Sequence, residues 1–114
     1  MKLAFVAGKY RADTIHGIVE NIRKAEAVAI ELWKYGYAVI TPHLNTRLLD
    51  GVCPDKVWLD GDLEILRRCD LIVLLEGWEN SEGAKDECIQ AELIGIPVFE
   101  WIHDEKRLKE FSKD

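Results

Sequence analysis

The chain has 114 residues, of which 48% are hydrophobic and 32% are charged, the size and composition of one globular domain with a buried core. Its net charge of −6 at pH 7 argues against a nucleic-acid polymer as partner, because proteins that bind polyanions carry a basic surface. A small nucleotide is compatible with this charge, since its phosphate needs only one or two local cations.

The composition also bears on location and on cofactors. The N-terminal apolar run is too short for a signal peptide, and no stretch approaches membrane-spanning length. The three cysteines, Cys53, Cys69 and Cys88, are widely spaced and show no paired metal-ligand pattern. We therefore expect a protein of a reducing compartment, by default the cytoplasm, with no membrane segment, no metal and no cofactor.

Four short apolar runs predict strands, at Leu3–Ala7, Ala38–Thr41, Asp70–Leu75 and Pro97–Trp101. Helices are predicted between and after them, at Thr14–Tyr35, from Asp55 or Lys56 onward, at Ala84–Leu93 and from Asp104 to the end. A polar loop is predicted over His43–Pro54, and Gly61 is expected to weaken or bend the helix in which it lies.

This alternation predicts a single α/β domain over residues 1–114. Strand–helix–strand units cross over right-handedly, which gives a parallel sheet covered by helices on both faces. We predict a small flavodoxin-like three-layer sandwich with a four- to five-stranded sheet in the order 2-1-3-4. In such a sheet the loops after strands 1 and 3 share one crevice, so Gly8–Arg11 and Ser81–Glu87 should form two walls of one pocket.

The segment Trp78–Glu87 is the main candidate for a binding site. Asn80 or Ser81 can cap the following helix, and the free N–H groups at a capped helix start attract anions such as phosphate. Gly83 permits close approach of a ligand because it lacks a Cβ atom. Glu87 falls inside the helix and can point toward the crevice. A capped surface helix with a solvated Glu87 is the alternative interpretation.

Further candidates come from other loops and helices. Arg11 carries a guanidinium that can hold a phosphate through two parallel hydrogen bonds, and Gly8 leaves room for a ligand beside it. Asp62, in the helix before strand 3, is the candidate for a second carboxyl group beside Glu87. Cleavage of a glycosidic bond needs such a pair. The alternative for Arg11 is a solvated loop side chain, and the alternative for Asp62 is an acid on the outer surface of its helix.

His43 and the aromatic side chains are open to two interpretations. His43 can donate a hydrogen bond to a ligand or to loop backbone. Tyr10 and Trp78 can stack on a flat base or pack within the protein. Three further tryptophans are interpreted as core or interface residues, Trp33, Trp58 and Trp101.

Several of these segments resemble a family of small phage and bacterial proteins, the DUF4406 type, which is related to the nucleoside 2-deoxyribosyltransferases. The resemblance covers nearly the whole chain and rests on Gly8–Arg11, Asn21 and Ile22 with Ala25, Thr41–His43, and Gly77–Ala84 with Glu87. The same skeleton is that of the 2′-deoxynucleoside 5′-monophosphate N-glycosidases. Their Gly-x-x-Arg, Asp-Leu-Glu-x-Leu and Ser-x-Gly-x-x-x-Glu patterns are matched here by Gly8 with Arg11, by Asp62–Leu66, and by Ser81, Gly83 and Glu87.

The resemblance implies a role for each matching residue. Glu87 would be the nucleophile at C1′ of the sugar, and Asp62 would serve the leaving base. Ser81 and Arg11 would hold the 5′-phosphate. Relatives that act on unphosphorylated nucleosides tend to carry Asp at the position of Ser81, so the serine here favours a nucleotide.

The predicted function is hydrolysis of the N-glycosidic bond of a (deoxy)nucleoside 5′-monophosphate, or transfer of its sugar to another base. A nucleotide-binding module without turnover and an assembly protein of a phage-like system are the alternatives. We also expect a homodimer or larger homo-oligomer in which the helix before strand 3 takes part, because isologous dimers are the commonest way to cover exposed apolar surface.

Overall fold

The computed structural model describes residues 1–114, which form four strands and five helices. The strands are β1 (Leu3–Ala7), β2 (Ala38–Ile40), β3 (Leu71–Leu74) and β4 (Val98–Glu100). The helices are α1 (Ile15–Lys34), α2 (Pro42–Asn45), α3 (Asp55–Leu66), α4 (Glu82–Ile94) and α5 (Trp101–Phe111), and a 3₁₀ turn spans Trp78–Asn80. None of the helices is long and apolar enough to cross a membrane.

The four strands are parallel and lie in the order β2-β1-β3-β4, which confirms the predicted order. The central strands β1 and β3 are almost wholly buried, as their continuous apolar sequences predict. Alternate residues of a strand point to opposite faces, so Phe5 packs with α3 and α4 whereas Val6 packs with α1 and α5. The helices thus form one layer on each face of the sheet, which is the predicted three-layer α/β sandwich.

Local signals in the sequence set the ends of the two longest helices. The side chains of Thr14 and Ser81 accept the N–H groups of Gly17 and Ala84 at the starts of α1 and α4. Gly95 ends α4 in the left-handed conformation, at a φ of 82°, which glycine adopts without steric cost. These caps fix two helices that pack on opposite faces of the sheet.

Two local predictions were wrong. The segment after β2 is not wholly a loop, because Pro42–Asn45 forms the short helix α2. Helix α5 begins at Trp101 instead of Asp104, because the Asp104 carboxylate accepts the backbone N–H of Glu100 and caps the helix from within its first turn. Gly61 lies in the middle of α3 without interrupting it.

Gly8, which follows β1, is required by the packing of the protein itself. A Cβ atom at this position would lie 2.6 Å from Cδ1 and 2.8 Å from Cβ of Leu75. Both distances are far inside van der Waals contact, and Leu75 is buried. The absence of a side chain at Gly8 is therefore required by the packing of Leu75, and the predicted role of Gly8 beside a ligand stays a prediction.

We expect Gly8→Ala to lower the free energy of unfolding by about 1–3 kcal/mol, the usual cost of overpacking a buried position. Gly61→Ala is the matched control, because a Cβ atom there meets nothing within 4 Å and alanine stabilises a helix interior by about 0.5–1 kcal/mol. Urea denaturation of both variants measures the difference. A Gly8→Ala variant as stable as the wild type would contradict the packing argument.

Candidate active site

One cavity of about 480 Å³ lies at the carboxyl ends of the parallel strands. Its walls are the loops after β1 and β2, one face of α3 and the start of α4, which is the crevice that the strand order predicts. It brings together eight of the nine predicted site residues, Gly8, Tyr10, Arg11, His43, Asp62, Ser81, Gly83 and Glu87.

Glu87 is the one buried acidic residue of the protein, with 8% of its surface exposed. It lies on the same side of α4 as the buried residues Ala84 and Cys88. Burial raises the pKa of Glu87 to about 8, and the negative charges of Asp62 and Asp86 add to the shift. The carboxyl group is therefore largely protonated at neutral pH.

Asp62 reaches the same cavity from α3. Four residues of this helix line the cavity at the spacing i, i+3, i+4 and i+7, namely Asp55, Trp58, Leu59 and Asp62. Burial raises the pKa of Asp62 to about 6. Between about pH 6 and pH 8 the Glu87 and Asp62 carboxyl groups therefore hold one proton between them.

The start of α4 forms the wall next to Glu87. The Ser81 hydroxyl accepts the N–H of Ala84 at 3.1 Å, and the first backbone bond of the helix runs from Lys85 N to Ser81 O at 2.9 Å. The N–H groups of Glu82 and Gly83 precede that bond and are left for another acceptor. A Cβ atom on Gly83 would lie 3.5 Å from Leu59, an ordinary van der Waals contact, so α3 lies close to the start of α4 at this glycine.

The loop after β1 is anchored on two sides. The Tyr10 hydroxyl donates to Asp50 Oδ1 at 2.6 Å and accepts the N–H of Leu48 at 3.0 Å. From α1, the Asn21 amide donates to the carbonyl oxygens of Tyr10 at 3.0 Å and of Arg11 at 3.3 Å. The hydroxyl of Tyr10 is thus engaged in holding the loop, although its ring lines the cavity.

Arg11 lies on the cavity wall, but its guanidinium already has an anionic partner. One Nη atom is 2.6 Å from Oδ2 of Asp55, and more than half of each side chain is exposed. The hydrogen bond and the charge of Asp55 raise the pKa of Arg11, and Asp50 adds to the shift. Because this contact engages only one Nη atom, a ligand phosphate that binds the guanidinium either displaces Asp55 or shares the guanidinium with it.

His43 lies in α2 and is buried. Its Nε2 atom is 2.9 Å from the carbonyl oxygen of Lys9, which makes Nε2 the protonated nitrogen. Burial lowers the pKa of His43, so the ring is neutral and its buried Nδ1 is an acceptor without a partner. The interpretation that His43 bonds to loop backbone is confirmed, and the residue also lines the cavity.

Trp78 lies outside the cavity and Trp58 lies in its wall, the reverse of what the sequence suggests. Trp78 does not line this cavity, because it packs against the core beside α4 and donates from Nε1 to Glu100 at 3.1 Å. Trp58 does line it, and its buried Nε1 has no partner. Its position four residues before Asp62 is the signal that could have placed it on the same helix face.

Glu87 should make the stability of the protein depend on pH. The folded protein retains the Glu87 proton up to about pH 8, whereas an unfolded chain releases it near the ordinary value of about 4.3. The contribution of the Glu87 proton to stability is therefore fully present below about pH 4 and is lost as the pH rises through about 8.

We expect Glu87→Gln to melt near the wild-type temperature at pH 4, and higher by on the order of 5 °C or more at pH 8. Glu26→Gln, on the exposed side of α1, is the control and should follow the wild type. Melting curves by circular dichroism across this range measure the effect. If the Glu87→Gln and wild-type temperatures run parallel in pH, the carboxyl is not held protonated by burial.

The fold has a counterpart among solved structures. The chain is similar to a 2-deoxyribosyltransferase from the psychrotolerant bacterium Bacillus psychrosaccharolyticus, with a TM-score of 0.61 and 18% identity. The match covers 86% of this chain and 70% of that chain. At this level of identity the likeness shows a shared fold.

The family assignment rests on comparison of the amino-acid sequence. No curated protein gives a significant match. Residues 5–100 match the family model described as a domain of unknown function, DUF4406. Because that match spans most of its length, the chain belongs to the DUF4406 family, as the resemblance of its motifs predicts.

Proposed function

We propose that this protein hydrolyses the N-glycosidic bond of a nucleoside 5′-monophosphate. The observation that carries the proposal is the pair of carboxyl groups of Glu87 and Asp62. They reach one cavity from two helices, and their raised pKa values leave one proton on the pair near neutral pH. One ionised and one protonated carboxyl group is the state that glycosidic cleavage requires.

In the first step the ionised Glu87 attacks C1′ of the sugar, and the bond from C1′ to the base nitrogen breaks. The base leaves with a proton from Asp62. In the second step Asp62 takes a proton from a water molecule, whose oxygen attacks C1′ and releases Glu87. The products are the free base and the sugar 5-phosphate, and both carboxyl groups return to their starting state.

This sequence requires the shared proton to move from Glu87 to Asp62 when substrate binds. Before substrate binds, Glu87 has the higher pKa of the two. A bound nucleotide brings the partial positive charge of C1′ next to Glu87, which favours its ionised form, and it covers Asp62, which favours its protonated form. Both effects move the proton in the required direction.

The phosphate end of the substrate would lie between the start of α4 and Arg11. The N–H groups of Glu82 and Gly83 and the helix dipole favour an anion at that end of α4. Arg11 lines the same cavity and can supply two further hydrogen bonds. A serine at position 81 adds no negative charge to this wall.

Transfer of the sugar to a second base is the other outcome of the same chemistry. The likeness of the fold to a 2-deoxyribosyltransferase favours this as the second candidate. The two differ only in whether water or a base attacks C1′ in the second step. Addition of a second free base to the assay separates them, since transfer yields a new nucleotide and hydrolysis yields sugar phosphate.

We expect Glu87→Ala to abolish base release from nucleoside monophosphates while binding stays within about tenfold of the wild type, because the phosphate contacts are separate. Asp62→Asn should slow release strongly, most of all for bases that leave poorly without a proton. Chromatography of free base from dCMP, dGMP and dUMP measures both effects. Asp60→Asn, exposed on the same helix, is the control and should retain activity.

The pH profile of base release is an independent test of the same pair. It should be bell-shaped, with limbs near pH 6 and pH 8, because activity needs one carboxyl ionised and the other protonated. Wild-type turnover in Glu87→Ala would contradict the proposal. Saturable binding without turnover in the wild type would favour a binding module instead.

We also propose that the protein is a homodimer that uses the outer surface of α3 and α4. Val57, Ile89 and Leu93 are 50%, 54% and 73% exposed on these adjacent helices, and a second copy would remove this apolar surface from water. Light scattering at micromolar concentration should give the dimer mass, and Leu93→Glu should give the monomer. Ile30→Glu, on α1 in the other layer, is the control. A monomeric wild type would contradict the proposal.

A further inference from the structure

The part of the cavity that is proposed to bind the phosphate already contains a carboxylate, that of Asp55, next to Arg11. Asp55 Oδ2 lies 2.6 Å from a guanidinium nitrogen of Arg11, and both residues line the cavity. Asp55 is the first residue of α3, and Asp62 lies seven residues further along the same face. The contact therefore joins the loop after β1 to the helix that carries one of the two carboxyl groups.

The charges around the cavity make this contact a competitor for any phosphate. Five acidic residues line the cavity, Asp50, Asp55, Asp62, Glu82 and Glu87, against two basic ones, Lys9 and Arg11. A phosphate that approaches Arg11 meets the carboxylate of Asp55 at the same guanidinium. Binding of the phosphate then either displaces Asp55 or places a second anion on the same guanidinium, and either outcome is weaker than binding to an Arg11 without an anionic partner.

Displacement of Asp55 does not require the loop to move. Tyr10 is bonded to Asp50 and Leu48, and Asn21 holds the loop from α1, so the backbone stays anchored when the Arg11–Asp55 contact opens. The two side chains are 71% and 56% exposed, and ion pairs so exposed contribute little to stability. A phosphate, with two charges and more acceptor oxygens, can displace the carboxylate by rotation of side chains alone.

We propose that Asp55 is a specificity-determining residue, an internal anion that competes with the substrate phosphate for Arg11 and so sets how strongly the cavity favours phosphorylated ligands. The inference rests on the proposed function for the identity of the ligand. It concerns binding of the phosphate only, and it can be tested without turnover.

The probes are 2-deoxyribose 5-phosphate and 2-deoxyribose, which contain no base, so the test does not depend on which base the protein accepts. Titration calorimetry should show that Asp55→Asn binds the sugar phosphate about two- to fivefold more tightly than the wild type, the range expected for loss of one exposed competing charge. Binding of 2-deoxyribose should not change. Asp55→Ser removes the same charge and should give the same gain.

Two controls isolate the contact. Asp60→Asn removes an equal charge from α3, at an exposed residue that pairs with Lys56 and not with Arg11, and it should bind the sugar phosphate like the wild type. In an Arg11→Ala background the gain from Asp55→Asn should vanish, because the two residues act on each other.

A gain of equal size in Asp60→Asn, a gain that persists without Arg11, or no gain in either Asp55 variant would overturn the inference. So would sugar phosphate binding too weak to detect in every variant. Failure of the proposed function is seen separately, as lack of base release from every monophosphate by a protein whose Asp55 variants still bind sugar phosphate more tightly.

Discussion

The burial of one carboxyl group, that of Glu87, is the constraint on which the site depends. Glu87 occupies a position of α4 that faces the protein interior, beside residues that are apolar. Water is largely excluded there, so the charged form is disfavoured and the pKa rises to about 8. The neighbouring charge of Asp62 adds to this effect. The ionisation of each carboxyl group therefore depends on the ionisation of the other.

The rest of the structure serves to hold these two acids in one cavity. The Ser81 cap fixes the start of α4, and the spacing of α3 turns Asp55, Trp58 and Asp62 toward the same space. Close packing of Gly8 against Leu75 brings the ends of the central strands together. The anchored loop after β1 then forms one wall of the cavity, where Arg11 makes an ion pair with Asp55.

The same arrangement supports the proposal that this acidic cavity binds a phosphate. Protonation of Glu87 removes one of its negative charges near neutral pH. The start of α4 offers N–H groups of its own, and the guanidinium of Arg11 lies on the same cavity wall. In the proposed mode of binding, selectivity for the phosphate is set by competition between Asp55 and the ligand.

Much of the fold follows from the sequence, because its signals are local and strong. Continuous apolar runs predict the strands, and Gly95 predicts the end of α4. Strand order follows from the right-handed crossovers. The start of α5 was missed because Asp104 caps the helix from within its first turn, by accepting the backbone N–H of Glu100. Composition alone does not reveal this contact.

The site was predicted less completely, and the reasons differ between residues. Asp62 and Glu87 belong to recognisable motifs on the right helices. The partner of Arg11 was missed because the Asp55 contact joins residues far apart in sequence. Trp78 was misplaced because its neighbours in sequence line the cavity, whereas its own side chain turns toward Glu100.

The ionisation of the two carboxyl groups tests most directly whether Glu87 and Asp62 share one proton. Carbon-detected NMR of the side-chain carboxyl groups can follow each one from pH 3 to pH 10, with Glu87→Gln and Asp62→Asn to assign the signals. Glu87 is expected to titrate near pH 8 and Asp62 near pH 6. If both groups titrate near pH 4, like exposed acids, they share no proton at neutral pH, which would contradict the proposed role of the pair.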